Sequence, residues 1–161
     1  MTTTLMREAE KAKPAYFTRS KRSKRFVFAA IALSAALIVS GGVGASIVTT
    51  DNWLWAAAPT HAYGLIVFVA MDLVVIAALW RRVRLADLGA ITLATVQFLA
   101  MASDLTGYAP TGVPASAFRS YLLGDTSFVL LLSIQPFIAG LGFWTKKLTG
   151  AQGPQKDEQR R

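Results

Sequence analysis

The chain has 161 residues, of which 53% are apolar and 16% are charged, and its formal net charge is +8. A soluble domain of this length usually carries more charge and spreads it along the sequence, whereas the charges here fall almost entirely outside four long apolar runs. We therefore expect a membrane protein and no nucleic-acid partner. The chain has no cysteine and one histidine, which excludes covalent haem, thiolate metal sites and bis-histidine haem within it. We predict no cofactor.

The N-terminal part predicts a tail followed by a membrane span. Residues 1–25 are polar and end in a basic cluster, as in a disordered cytoplasmic tail, and residues 26–49 form the first predicted span. A cleaved signal peptide, with Val43-Gly44-Ala45 as its cleavage site, is the alternative for this segment. Small residues spaced four apart allow another helix to approach closely. The predicted helix-packing positions are Ala36, Ser40 and Gly44, with Gly140 and Gly142 near the end of the fourth predicted span.

The second predicted span, residues 60–80, carries an ionisable residue near its middle. Asp72 costs about 3 kcal/mol on the insertion scale, and the Leu, Ile, Val and Phe residues of the segment return about 3–6 kcal/mol together. Neighbouring helices should therefore shelter Asp72 from lipid. His61 lies on the same stripe of this helix, about 16 Å along its axis. A proton could pass from His61 through water to Asp72.

The third and fourth predicted spans cover residues 85–103 and 128–144. Each has a glutamine near its middle, Gln97 and Gln135. Their side-chain amides could form hydrogen bonds between helices or to a ligand such as a quinone. Pro136 lacks a backbone N–H, which predicts a kink in the fourth helix.

The connection between these spans, residues 104–127, is the longest outer loop. Its residues 115–123 predict a short helix at the membrane surface, with Phe118, Tyr121 and Leu122 pointing into the interface. Residues 145–161 predict a second disordered cytoplasmic tail.

The distribution of basic residues predicts the orientation. With both termini cytoplasmic, every Lys and Arg except Arg119 lies on the inner side. The predicted fold is an all-α, four-helix transmembrane bundle with a kinked fourth helix, a multi-pass protein of the cell membrane without a separate soluble domain.

Two groups of residues are candidates for chemistry. The intramembrane group, for a proton or an ion, comprises Asp72, Gln97, Gln135 and His61. The alternative is that Asp72 stays neutral, bonded to a glutamine, to Ser34 or to backbone freed by the proline. The outer group, for a divalent metal, comprises His61, Asp51, Asp104 and Asp125. The alternative there is that these aspartates are helix caps.

Three classes of function follow. The chain lacks the sequence motifs of nucleophile elbows, phosphate loops and zinc peptidases, so we expect a non-enzymatic role. The first hypothesis is an accessory or assembly subunit of a larger membrane complex, such as one of energy metabolism. The second is a homo-oligomeric, proton- or cation-linked carrier or channel that uses Asp72. The third is a metal-handling protein or enzyme at the outer face. Expected partners are the lipid bilayer and other membrane subunits or a second copy.

Overall fold

The computed structural model describes the backbone of residues 2–81, 83 and 85–150, and the side chains of residues 24–81, 83 and 85–148. Within these residues the chain forms six α-helices and no strand. Their bounds are α1 Thr2–Thr50, α2 Asn52–Ala57, α3 Pro59–Trp80, α4 Ala86–Thr106, α5 Ala115–Gly124 and α6 Thr126–Gly150.

Four of these helices are long and apolar enough to cross a membrane, which confirms the all-α, four-span fold. The apolar segments are Lys24–Thr50, Pro59–Trp80, Ala86–Thr106 and Thr126–Leu148. They contain the predicted spans apart from Leu85, which lies just before α4. Helix α4 runs further than predicted because Gly107, with a φ of 129°, is the first residue to leave the helical conformation.

Helix α1 continues beyond its membrane-crossing segment on the N-terminal side. We predicted a disordered tail over residues 1–25, and the structure instead has helical backbone from Thr2 onward. Ala, Glu, Lys and Arg are frequent in this stretch and favour a helix, and extending an existing helix avoids the cost of nucleating a new one. Helix α6 likewise continues to Gly150. Residues 151–161 lie outside the described part of the chain, so the tail predicted there stays a prediction.

The four long helices form a ring in chain order. Helix α1 packs against α3 and α6, and α4 packs against the same two helices. Each long helix is therefore adjacent to the one that precedes or follows it, which is the up-and-down arrangement of a simple bundle. The short helices α2 and α5 pack at one end of the ring, which we call the α5 end.

The interior of the ring is built in three layers. The apolar cluster nearest the α5 end includes Ile47, Ala62, Met101 and Leu131. A second apolar cluster, at the other end, includes Leu37, Val75, Ala94 and Ile138. Between them, each long helix contributes one buried polar side chain. These four residues, which we call the polar layer, are Ser40, Asp72, Gln97 and Gln135. Apolar packing thus encloses the polar layer on both sides.

The small residues predicted on α1 pack inside this ring. Ala36, Ser40 and Gly44 are all buried. A Cβ atom on Gly44 would lie 3.0 Å from Cγ2 of Val69 on α3, so the glycine permits a close approach of the two helices. This stripe of small residues therefore packs against other helices of the same chain.

Of the two glycines of α6 that we predicted to pack closely, Gly140 and Gly142, only Gly142 lies against another helix. A Cβ atom on Gly140 would meet nothing within 4 Å, whereas one on Gly142 would lie 2.7 Å from Cγ1 of Ile91 on α4. The two positions are about 200° apart around the helix, so only one of them can face α4. Pro136 lies inside α6, where it leaves the helix one backbone donor short.

Helix α5 confirms the predicted short helix but not the orientation of its side chains. We predicted that Phe118, Tyr121 and Leu122 point into the membrane interface. Phe118 instead has no exposed surface and Leu122 is 5% exposed, because both join the apolar cluster nearest the α5 end. The half-buried Tyr121 lies against Trp53, with ring centroids 4.0 Å apart.

Candidate functional site: a polar layer beneath an end pocket

Hydrogen bonds connect the four side chains of the polar layer and meet at Asp72. Nε2 of Gln97 donates to Oδ1 of Asp72 over 3.2 Å. Nε2 of Gln135 donates to Oγ of Ser40 over 3.0 Å, and the Ser40 hydroxyl hydrogen-bonds to the Asp72 carboxyl. All four long helices are therefore linked at one depth.

Asp72 is almost completely enclosed by protein. Its side chain is 2% exposed, and a Cβ atom on Gly41 would lie 3.7 Å from its Oδ2, so the backbone of α1 passes close to the carboxyl group. A carboxyl group held away from water needs hydrogen-bond partners to offset its lost hydration. Gln97 and Ser40 supply them.

Two buried polar atoms of the described residues have no hydrogen-bond partner. They are Oε1 of Gln135, in the polar layer, and Oγ of Ser34, which lies on α1 on the N-terminal side of Ser40. A buried acceptor left unpaired costs about 1–3 kcal/mol. Gln135 already uses Nε2 twice, since it also donates to the Leu131 carbonyl over 3.2 Å. The layer can therefore accept one more hydrogen-bond donor.

The structure confirms some of the predicted partners of Asp72 and corrects others. Gln97 bonds to Asp72 directly, whereas Gln135 reaches it only through Ser40. Ser34 was a predicted partner and does not take this role. Sequence reasoning assigned Ser40 to helix packing alone, although its position on the small-residue stripe already indicated that it faces another helix.

A small cavity adjoins Asp72. Its volume is about 10 Å³, and Ser40 and Gln97 line it together with Asp72. This is close to the minimum volume that holds one water molecule, and the polar lining provides the hydrogen bonds that such a water needs.

A larger cavity, which we call the end pocket, opens at the α5 end of the ring. Its volume is about 310 Å³, near the lower limit of about 300–1,000 Å³ for ligand pockets. Its carboxyl and imidazole lining consists of Asp51, His61, Asp104 and Asp125. Its aromatic lining includes Tyr108, Phe118, Tyr121 and Phe128.

A contact between α3 and α4 forms the polar centre of the end pocket. Nε2 of His61 lies 3.2 Å from Oδ1 of Asp104, and its Nδ1 lies 3.4 Å from Oγ1 of Thr60. The imidazole ring packs edge-on against Phe118, with centroids 5.4 Å apart. The aspartate thus holds the imidazole in one orientation.

The predicted metal site is not assembled, although its four residues do line one pocket. Oδ1 of Asp51 accepts a hydrogen bond from the Leu54 N–H, and Oδ1 of Asp125 accepts one from the Ser127 N–H, both over 2.9 Å. Asp51 is therefore the N-cap of α2, and Asp125 caps the start of α6. Among the described residues, no three His, Asp or Glu side chains converge closely enough to hold a metal ion. The capping alternative explains two of the four positions.

Three apolar side chains separate the two cavities. Leu65, Phe68 and Met101 line both the end pocket and the small cavity beside Asp72. His61 and Asp72 thus lie on the same side of α3, as the helical spacing predicted, with this apolar barrier between them. Met101 is an unbranched side chain that repacks easily.

Comparison with known proteins assigns no relative to the chain. No family model, no curated protein and no solved structure matches it.

Proposed function

We propose that this chain is a small proton-linked membrane carrier, in which Asp72 takes up and releases the coupled proton. The observation that supports the proposal is the position of Asp72 in a four-helix polar layer, directly beneath a ligand-sized pocket. An ionisable residue at membrane depth that faces the bundle interior is the usual mark of an ion or proton pathway.

The polar layer suits a carboxyl group that changes its protonation state. When Asp72 is ionised, Gln97 and Ser40 act as its donors. When it is protonated, the Ser40 hydroxyl can rotate and accept the new hydrogen bond, because a hydroxyl both donates and accepts. The carboxyl group of Asp72 thus has a hydrogen-bond partner in both states.

The route for the proton and the ligand runs from the end pocket to the polar layer. Repacking of Leu65, Phe68 and Met101 would join the two cavities, and the space beside Asp72 is close to the minimum volume for one water. With both termini cytoplasmic in the cell membrane, as the basic residues predict, the end pocket opens on the outer side. This orientation is part of the proposal.

The hypothesis of an accessory subunit remains a proposal of lower rank. It drew on the small-residue faces as docking surfaces for a partner, but Ala36, Ser40 and Gly44 are buried within the chain, whereas Gly140 on α6 is exposed. A subunit without its own chemistry also has no use for a pocket above a buried carboxyl group. Extraction in mild detergent followed by native mass analysis separates the two: a lone chain or homo-oligomer fits a carrier, and a defined set of other subunits favours the accessory role.

Reconstitution tests the proposed function directly. Proteoliposomes that enclose a pH-sensitive dye are mixed with a panel of small cationic, neutral and anionic compounds. We expect at least one class of compound to drive proton movement in the wild type, none to do so in Asp72→Asn, and Asp87→Asn to behave as the wild type, because Asp87 lies outside the polar layer.

Asp72→Asn keeps the size of the side chain and one oxygen acceptor, and it removes the ability to ionise. Unchanged proton movement in this variant would overturn the assigned role of Asp72. The absence of compound-driven proton movement in the wild type, together with stable association with other subunits, would replace the carrier with the accessory subunit.

A further inference from the structure

We propose that the end pocket binds a small organic cation with an aromatic or apolar group, so that such cations are the substrate class of the proposed carrier. As a statement about transport the inference rests on the proposed function, whereas the binding itself does not.

The charge of the pocket is the first observation that favours a cation. Asp51, Asp104 and Asp125 line it, and among the described residues no Lys or Arg does. The basic residue of this end, Arg119, is exposed on α5 and is absent from the lining. A concave site with acidic groups and apolar walls concentrates its electric field and attracts positive ligands.

Each acidic side chain of the pocket has one carboxyl oxygen that makes no hydrogen bond to a described residue. Each of the three uses Oδ1 for a contact within the chain: Asp51 with the Leu54 N–H, Asp125 with the Ser127 N–H, and Asp104 with His61. No hydrogen bond from a described residue reaches the Oδ2 atom of any of them. An ammonium group could therefore be bound without the loss of a cap or of the contact with His61.

The aromatic rings of the pocket are the second observation that favours a cation. Tyr108, Phe118, Tyr121 and Phe128 line the same pocket. A cation within about 6 Å of an aromatic face gains about 0.5–2 kcal/mol, more where water is excluded. Trp53 supports two of these rings from behind, with its centroid 4.0 Å from that of Tyr121 and 6.1 Å from that of Phe118. Acidic oxygens and aromatic rings together are the combination that recognises alkylammonium groups.

Other ligand classes fit the pocket less well. An anion would meet three carboxyl groups with His61 as the only described imidazole, and a metal ion lacks three converging ligands. The amides of Gln97 and Gln135, which we considered as donors to a quinone, lie in the polar layer and do not line the end pocket. The volume of about 310 Å³ suits a small amine rather than a lipid.

Calorimetric titration of the purified full-length chain in detergent tests the assignment. The probe is phenyltrimethylammonium, and benzyl alcohol and benzenesulfonate are its neutral and anionic counterparts. We expect the cation to bind with one-to-one stoichiometry and an affinity about tenfold or more above that of either counterpart. Equal binding of the three probes, or no binding of the cation, would overturn the proposal.

Substitutions that preserve the caps locate the site. Asp51→Asn, Asp104→Asn and Asp125→Asn keep an oxygen acceptor at each position and should each weaken cation binding about threefold or more. Asp87→Asn, outside the pocket, should bind as the wild type does. Unchanged affinity in all three pocket variants would show that the cation binds elsewhere.

Asp72→Asn separates this inference from the proposed function. Asp72 does not line the end pocket, so this variant should bind phenyltrimethylammonium with wild-type affinity while it loses proton movement. Binding without proton movement in the wild type would keep the pocket assignment and reject the carrier. Compound-driven proton movement without preference for cations would keep the carrier and reject the assignment of its substrate.

Discussion

Two glycines of α6 allow a matched test of the way the bundle packs. Gly140 and Gly142 lie on the same helix and differ in what a methyl group would meet. At position 140 it would have no neighbour within 4 Å, and at position 142 it would lie 2.7 Å from Cγ1 of Ile91 and 3.4 Å from the backbone oxygen of Asp87. We expect Gly140→Ala and Gly142→Ala to change stability in opposite directions.

The magnitude follows from two effects. Alanine is favoured over glycine inside a helix by about 0.5–1 kcal/mol, and this gain applies to both variants. At position 142 the new methyl group overpacks the contact with α4, at a cost of about 1–3 kcal/mol. The backbone oxygen of Asp87 limits how far the helices can adjust. The free energy of unfolding should therefore be about 1–3 kcal/mol lower for Gly142→Ala than for Gly140→Ala.

Thermal unfolding in one mild detergent, followed by the far-ultraviolet circular dichroism signal, measures the difference. Soluble domains of similar size change their Tm by about 2–4 °C per kcal/mol, so Gly142→Ala should unfold several degrees below Gly140→Ala. Adding Ile91→Ala to Gly142→Ala should restore part of the loss, because it makes room for the methyl group. A Gly142→Ala variant that unfolds with or above Gly140→Ala would refute the α4–α6 contact.

Two further predictions use the same unfolding assay. Ser40→Ala removes the acceptor of Gln135 and a partner of Asp72, so its unfolding free energy should fall by about 1–3 kcal/mol; equal Tm values for Ser40→Ala and Ser46→Ala, at an exposed position of the same helix, would contradict the hydrogen-bonding role. Asp51→Ala removes the N-cap of α2 and should cost about 1 kcal/mol, whereas Asp51→Asn keeps the cap and should unfold as the wild type does; a similar loss in both variants would assign the effect to charge instead.

The spans could be predicted from the sequence because they depend on local properties. A run of apolar residues long enough to cross the membrane, with charges at its ends, specifies a helix without knowledge of its neighbours. The same holds for depth along the helix axis, since about 1.5 Å per residue fixes the height of each side chain. Asp72, Gln97 and Gln135 were thus correctly predicted near mid-span.

The direction in which each helix faces could not be predicted in the same way. In a soluble helix the apolar face marks the core, but lipid and the bundle interior are both apolar, so the hydrophobic pattern separates them poorly. This explains why Gly140 and Gly142 were both predicted to pack against a helix, although only Gly142 does, and why Ser40 was treated only as a packing residue. The predicted orientation of Phe118 was wrong for a related reason. A short amphipathic helix can bury its apolar face either in lipid or against protein, and the sequence pattern is the same in both cases.

The sequence by itself determined the number and extent of the spans and the depth of each polar side chain, because hydrophobicity and helix geometry are local. Only the tertiary structure decided that one polar residue from each of the four long helices meets in a single layer, with a pocket above it. That outcome depends on the rotation of each helix about its own axis. The rotation is set by close contacts such as those of Gly44 and Gly142, which join residues far apart in the chain.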